Sequence, residues 1–297
     1  MKMTFALTLA VAGCAAMTAP AEAKSLKAVA SFTILADMVR NVGGDKVDVR
    51  SLVGPNGDPH TYEPTPDDAR ALKAADVVFV NGLGLEGWMD RLIAASGYKG
   101  TPVVASQGVA PLKMEDDGKT VIDPHAWNSA ANGVIYVRDI AKALAAADPE
   151  DKDVFEKNAV AYEAKLAALD ADARSSLAAV PQQRRKILTT HDALGYFAKA
   201  YDVEILAPLR ISTEQEPSAA TVAALITQIT KEGIKTYFFE NSNDPRLIEQ
   251  IARATGAKPG GELYVESLSK PDGPAATYAD MFRNNVGLIT KAMRDQS

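Results

Sequence analysis

Three histidines, His60, His125 and His191, are the only ones in 297 residues, and they stand 65 and 66 residues apart. Two of them share a local frame, Asp58-Pro59-His60 and Asp123-Pro124-His125, while the third follows the apolar pair Ile187-Leu188 as Thr189-Thr190-His191-Asp192. Proline before a histidine restricts the backbone and helps aim the imidazole without a helix. Neutral imidazole is the commonest metal ligand, and three imidazoles with one carboxylate complete a closed four-coordinate shell. Taken singly, each histidine reads as structural or surface. Three at loop positions, two in a repeated frame, point together to one shared metal site. Cys14 is the sole cysteine and falls in a leader, so disulfides and thiolate sites are excluded and every ligand must be His, Asp or Glu.

The leader is residues 1–23. Lys2 supplies a positive n-region, Phe5 to Met17 is an apolar run of signal-peptide length, and Ala21-Glu22-Ala23 presents small residues where a signal peptidase reads, with Lys24 as the expected mature start. The run is well short of the roughly 20 residues that span a bilayer. Val11-Ala12-Gly13-Cys14 resembles a lipoprotein cleavage box, which leaves anchoring through Cys14 as the alternative to a soluble periplasmic product. Lys2 and Glu22 cancel, so the mature chain keeps the formal net charge of −6. A mildly acidic chain without a basic run gives no support to nucleic-acid binding.

About 274 residues remain beyond the leader, enough for two lobes. Short β-branched runs alternate with helical stretches, the pattern of βα units around mostly parallel sheets. The expected strands are 28–32, 47–53, 77–80 and 102–105, then 186–190, 203–207, 236–240 and 263–265. The expected helices are 34–41, 66–74, 86–95 and 131–146, then 219–231, 245–254 and 277–293. Between the halves, 149–179 is rich in Ala, Glu, Lys, Asp and Leu, with no glycine and no proline after Pro149. Pro149 suits a first helical turn with Asp148 as N-cap, and Pro181 ends the run. One helix of about 30 residues there is roughly 45 Å long, enough to run along both lobes. The expected fold is therefore α/β: two α/β lobes, 24–147 and 182–297, joined by a long helix over 148–181. Ligands of open α/β sheets collect outside the carboxyl ends of the strands, which places the histidines in the cleft between the lobes. There is no low-complexity segment, and no His-rich or acidic loop between Lys113 and Val121.

Longer motifs surround these histidines. They are Gly57-Asp58-Pro59-His60 with Tyr62-Glu63-Pro64-Thr65-Pro66, Asp123-Pro124-His125-Ala126-Trp127, and His191-Asp192-Ala193-Leu194-Gly195-Tyr196-Phe197. Ile211-Ser212-Thr213-Glu214 through Glu216-Pro217-Ser218, Asp244-Pro245-Arg246-Leu247-Ile248 and Leu263-Tyr264-Val265-Glu266-Ser267-Leu268 complete the set. Over nearly the whole mature chain the sequence resembles the zinc- and manganese-binding proteins of ABC importers, the TroA-like or ZnuA-like group. The resemblance implies two α/β lobes on one long helix and four ligands, His60, His125, His191 and a carboxylate. The family usually has aspartate at that last position, and the matching residue here is Glu266. Asp280 and Glu240 are weaker candidates, expected to be solvated or to cap.

The implied cargo is a divalent transition metal and the implied partner a membrane permease; the sequence does not fix the oligomeric state, for which monomer is the default of a carrier. His191 makes the site nitrogen-rich, which favours Zn2+, while Mn2+ is the alternative. Metal binding is expected to draw the lobes together modestly, and their opening at the permease to release the ion. Asp58, Asp123 and Asp192 flank the ligands and either hold imidazole tautomers or cap loops. Two other classes compete. A metallohydrolase needs an open coordination position and a general base, which a fourth ligand at Glu266 closes off. A surface adhesin, a role some lipidated relatives suggest, has no support here beyond Cys14.

Overall fold

The computed structural model describes residues 25–116, 119–209, 213 and 217–295. Residues 1–23, the expected leader with Cys14, and Ile211, Ser212, Glu214, Gln215 and Glu216 of the family-like run lie outside the described residues. The first lobe runs β1 (Leu26–Ala30), α1 (Thr33–Gly43), β2 (Val47–Ser51), α2 (Pro66–Ala74), β3 (Val77–Val80), α3 (Met89–Ser96), β4 (Val103–Val104), the hairpin β5 (Lys113–Asp116) and β6 (Lys119–Ile122), and α4 (Ala130–Ala147). After α5 (Lys152–Ala178) come β7 (Lys186–Leu188), α6 (Gly195–Tyr201), β8 (Glu204–Leu206), α7 (Ala219–Glu232), β9 (Thr236–Glu240), α8 (Arg246–Thr255), β10 (Lys258–Leu263) and α9 (Tyr278–Arg294).

Each lobe holds a four-stranded parallel sheet, in the orders β2-β1-β3-β4 and β10-β9-β7-β8. All four residues of β3 are buried, as befits a strand covered on both faces by helices. In the second sheet the strand alternation divides the apolar side chains between two cores. Ile187, Phe238 and Leu263 face the main core, which is continuous with the first lobe, α5 and α9. Leu188, Leu225, Ile229, Ile234, Ile248 and Ile251 form a separate smaller core under α7 and α8, flanked by Tyr237 and Phe239.

The long helix α5 has 27 residues, about 40 Å of rise. Its buried residues Phe155, Ala159, Tyr162, Leu166, Leu169, Ala173 and Leu177 recur every three or four positions, a single apolar stripe. That stripe rests on α1 and α4 of the first lobe and on α6 and α9 of the second, so α5 is a packed spine along its length.

Three expectations change. The helix starts at Lys152 with Asp151 at its N-cap, not in a turn at Pro149. Asp148 instead closes α4 and accepts from the N–H groups of Glu150 and Asp151 at 3.1 and 3.4 Å, shaping the connecting turn. The last strand is Lys258–Leu263 rather than 263–265; Gly260 and Gly261 produce a register shift there, which weakens the strand pattern in the sequence. The β5–β6 hairpin and α6 carry no clear periodicity and stand outside the expected elements.

Leu166 is fully buried in the seam and packs over Gly133 of α4, 3.2 Å from where a Cβ there would sit. Leu166→Ala is expected to destabilise the metal-free protein by about 2–5 kcal/mol in denaturant unfolding. A loss below about 1 kcal/mol would mean that the spine is not load-sharing between the lobes.

Candidate metal centre

The repeated Asp-Pro-His frame has a direct local consequence. Asp58 Oδ1 accepts from the His60 backbone N–H at 2.7 Å, and Asp123 Oδ1 accepts from the His125 N–H at 2.9 Å. Both are Asx turns, in which a short side chain mimics a backbone turn, so one sequence device sets two imidazoles. Trp88 Nε1 donates to the Pro59 carbonyl at 2.8 Å and fixes the first turn from behind. The second is held through Asn81, whose Nδ2 donates to the Pro124 carbonyl at 2.9 Å. Asn81 follows β3 at the start of a tight loop in which Gly82, Leu83 and Gly84 all have positive φ. Glu86, at the far side of that loop, receives the Asn81 N–H at 2.6 Å, the Gly82 N–H at 3.2 Å and the Ser31 hydroxyl at 2.6 Å. Burial raises its carboxyl above the ordinary value, and these donors oppose the rise.

His191 lies three residues beyond β7 and Glu266 three beyond β10, both at the carboxyl ends of their strands, where α/β folds gather ligands. The structure brings His60, His125, His191 and Glu266 together, with one candidate ligand atom from each lying within 4.8 Å of the others. All four side chains are buried. Glu266 Oε1 is 2.7 Å from His60 Nε2, and 3.3 Å from both His125 Nε2 and His191 Nε2. His60 Nε2 and His125 Nε2 are 3.0 Å apart. A tetrahedral ion with bonds of about 2.0–2.1 Å has ligand-to-ligand edges of about 3.3–3.4 Å; the two 3.3 Å edges match it, and the His60 pairs at 2.7 and 3.0 Å are shorter by a few tenths of an ångström.

The groups behind the rings decide which nitrogen faces inward. Asp123 Oδ1 stands 2.9 Å from His125 Nδ1, and Glu240 Oε2 is in close contact with His191 Nδ1. An ionised carboxylate only accepts, so each ring donates from Nδ1 and turns an Nε2 lone pair to the cluster. His191 Nε2 is accordingly buried without a hydrogen-bond partner, although Glu266 lies at ion-pair distance. The Nε2 lone pairs of His125 and His191 then face the Glu266 carboxylate, and acceptors facing one another call for positive charge between them. The carboxylates around His125 and His191 favour protons in that place when no metal is bound. Burial opposes charge on His125 and His191, yet Asp123, Glu240 and Glu266 outweigh it: His125 is raised above the ordinary 6.5 and His191 well above it. Burial likewise opposes ionisation of Glu266, but the three imidazoles hold it well below 4.5.

Glu240 is therefore neither solvated nor a simple cap. It is 2 % exposed and gathers the backbone N–H groups of Thr190 and His191 at 3.1 and 3.2 Å, the His191 ring, and Asn243 Nδ2 at 2.7 Å. The β9 pattern contained the signal, since Thr236, Phe238 and Glu240 share one buried phase. Asp280 stands apart, pairing with Thr277 at the exposed N-terminus of α9. The three flanking aspartates differ. Asp123 holds a ring, Asp58 shapes a turn and accepts from Thr213 Oγ1 at 2.5 Å, and Asp192 is brought near the site with its carboxyl raised by burial.

Comparison with known proteins gives a consistent picture. The family described as zinc-uptake complex component A, periplasmic, matches residues 28–292. The chain is 32% identical over 282 residues to the metal ABC transporter substrate-binding lipoprotein SsaB of Streptococcus sanguinis, covering 93% of this chain and 91% of that one. It is 35% identical over 271 residues to the iron-binding protein YfeA of Yersinia pestis, covering 91% and 86%. Among solved structures it is similar to a manganese-bound periplasmic metal-binding protein from Candidatus Liberibacter asiaticus, with TM-score 0.82, 31% identity and coverage of 91% and 100%. It is also similar to the periplasmic zinc-binding protein TroA from Treponema pallidum, with TM-score 0.85, 28% identity and coverage of 91% and 99%.

Glu240→Gln keeps the shape but removes the charge behind His191. It is expected to weaken binding of a divalent ion by about 10–100-fold in competition titrations. An unchanged affinity would show that Glu240 serves only the loop.

Proposed function

The chain belongs to the family of periplasmic zinc-uptake component A proteins, the substrate-binding components of metal ABC importers, and from that premise we propose that it captures Zn2+ through His60, His125, His191 and Glu266 and hands it to a membrane permease. It is a carrier, not an enzyme. The observation that supports this reading best is the convergence of three Nε2 atoms on one carboxylate oxygen, all within 4.8 Å and buried. Three nitrogens and one oxygen suit zinc, and the Irving–Williams order places zinc above manganese at such a site. A leader ending at Ala23 would export the protein to the periplasm, or, through Cys14, to a lipid anchor.

One observation favours manganese as a second reading. Glu266 Oε2 receives only a long bond among the described residues, from Ser242 Oγ at 3.3 Å, which leaves it available for a bidentate contact. A fifth oxygen ligand suits a harder ion, and a relative of 31% identity has been solved with manganese bound.

Calorimetric titration of residues 24–297 separates the readings. Zinc is expected to occupy one tight site with manganese far weaker, and His191→Ala or Glu266→Ala to cost more than the roughly 10–100-fold of a lost supporting bond. Manganese binding as tight as zinc would overturn the zinc assignment, and tight binding of neither would bring down the carrier reading.

The metal must displace the protons that His125 and His191 retain above the ordinary imidazole range. Raised imidazole values mean that protons compete at neutral pH, so apparent affinity should rise with pH through and beyond 7 and fall on acidification, by roughly one to two powers of ten per unit. Chelator competition between pH 6 and 8.5 checks this; a flat profile would contradict the proton-for-metal exchange.

A further inference from the structure

The four clustered side chains come from four separate parts of the chain, and one amide on the His125 arm bonds the main chain beside two of the others, His191 and Glu266. Asn128 lies three residues past His125, in the turn before α4, and is 2 % exposed. Its Nδ2 donates across the lobe interface to the Ala193 carbonyl at 3.0 Å and to the Val265 carbonyl at 3.2 Å. Both partners are acceptors, which fixes the amide orientation. Ala193 is tied to His191, whose carbonyl receives the Ala193 N–H at 3.0 Å, and Val265 directly precedes Glu266. Trp127 adds a second donor, from Nε1 to the Val265 carbonyl at 2.7 Å. His60 is held by an independent route, through Asp58 and Trp88.

We propose that Asn128 is a positioning residue for the bound ion, its single amide setting the mutual spacing of His125, His191 and Glu266 across the lobe interface. The proposal rests on the metal-binding reading above. Both amide hydrogens are committed to carbonyls within two residues of a ligand, so moving either arm breaks a buried bond. The spacing of the three atoms is then a property of the fold and not of the cargo. An ion whose preferred geometry departs from that spacing is bound less well.

A merely structural amide satisfying two buried carbonyls would cost stability when removed but leave the coordination geometry alone. Cobalt(II) separates these roles, because its visible absorption reports coordination geometry directly. Four variants of residues 24–297 would be loaded with Co2+ and, separately, with Zn2+ for dissociation into excess chelator. Asn128→Leu removes both donors at similar volume, and Asn128→Ser, which keeps one donor, carries the comparison where the leucine variant does not fold. Trp127→Phe removes only the second donor to Val265. Asn158→Ala removes an amide-to-carbonyl bond of the same kind far from the site, from Asn158 to the Val42 carbonyl at 3.0 Å.

The expected result is that Asn128 variants shift or weaken the four-coordinate cobalt bands and speed zinc dissociation by about tenfold or more. Trp127→Phe should do so less, and Asn158→Ala should lower only the unfolding temperature. Asn128 variants that lose stability yet keep the parental spectrum and dissociation rate would overturn the proposal and leave Asn128 a structural amide. A parent protein that binds neither ion would instead remove the reading on which the proposal rests.

Discussion

The arrangement turns on one costly act, the complete burial of the Glu266 carboxylate. A carboxylate stripped of water demands positive charge at contact distance. The described partners of Glu266 are three imidazoles and the Ser242 hydroxyl. Imidazoles offer that charge conditionally: protonated they are cations, and deprotonated they are lone pairs that need one. The same four groups are therefore self-neutralising with protons and turn into a complete coordination shell when a divalent ion replaces them. The carboxylates behind the rings, Asp123 and Glu240, make the choice sharper by pinning Nδ1–H and leaving Nε2 as the variable atom.

Holding such a cluster requires that its members cannot relax apart. The Asx turns at His60 and His125 supply local stiffness, and the fold supplies the rest. The packed spine of α5 keeps the lobes in register, while Trp127, Asn128 and Tyr278 stitch them beside the site; the Tyr278 hydroxyl donates to the Trp127 carbonyl at 2.6 Å. Close approach is part of the same economy. A Cβ on Gly195 would strike Asp123 Oδ2, so the start of α6 can lie against that carboxylate only as glycine. Tyr196, the next residue, takes the Leu112 N–H at 2.9 Å and donates to the Asp123 carbonyl at 3.1 Å, clamping the base of the β5–β6 hairpin.

Much of this was legible in the sequence, for reasons that explain what was not. The βα rhythm, the long linking helix and the Asp-Pro-His frames are local patterns, and the structure has the two lobes, the spine and both turns. His60, His125 and His191 meet where strand ends in both halves would send them, and Glu266, legible only through the family resemblance, joins them. Residues that act at a distance were harder to see. Glu240 serves His191 from 49 positions away, and Asn128 bonds Val265 across 137; no spacing rule connects such pairs. Gly260 and Gly261 hid the last strand by breaking its alternation. Composition also leaves the choice of ion open, because the same four donors accept zinc in a tetrahedron and a larger ion with one more oxygen.

The division of the second lobe into two apolar cores has a consequence for its motion. Cooperative units of opening tend to follow separately packed clusters. The small core under α7 and α8 is such a unit, while Ile187 of β7, α6 and α9 belong to the main core. Such a division favours amide exchange in α7 and α8 through a sub-global excursion over global unfolding. Ser242 and Asn243 sit at the rim of that unit and touch Glu266, Glu240 and the His191 ring. One flank of the cluster is thus joined to a small, separately packed unit, while the opposite flank is anchored in the main core.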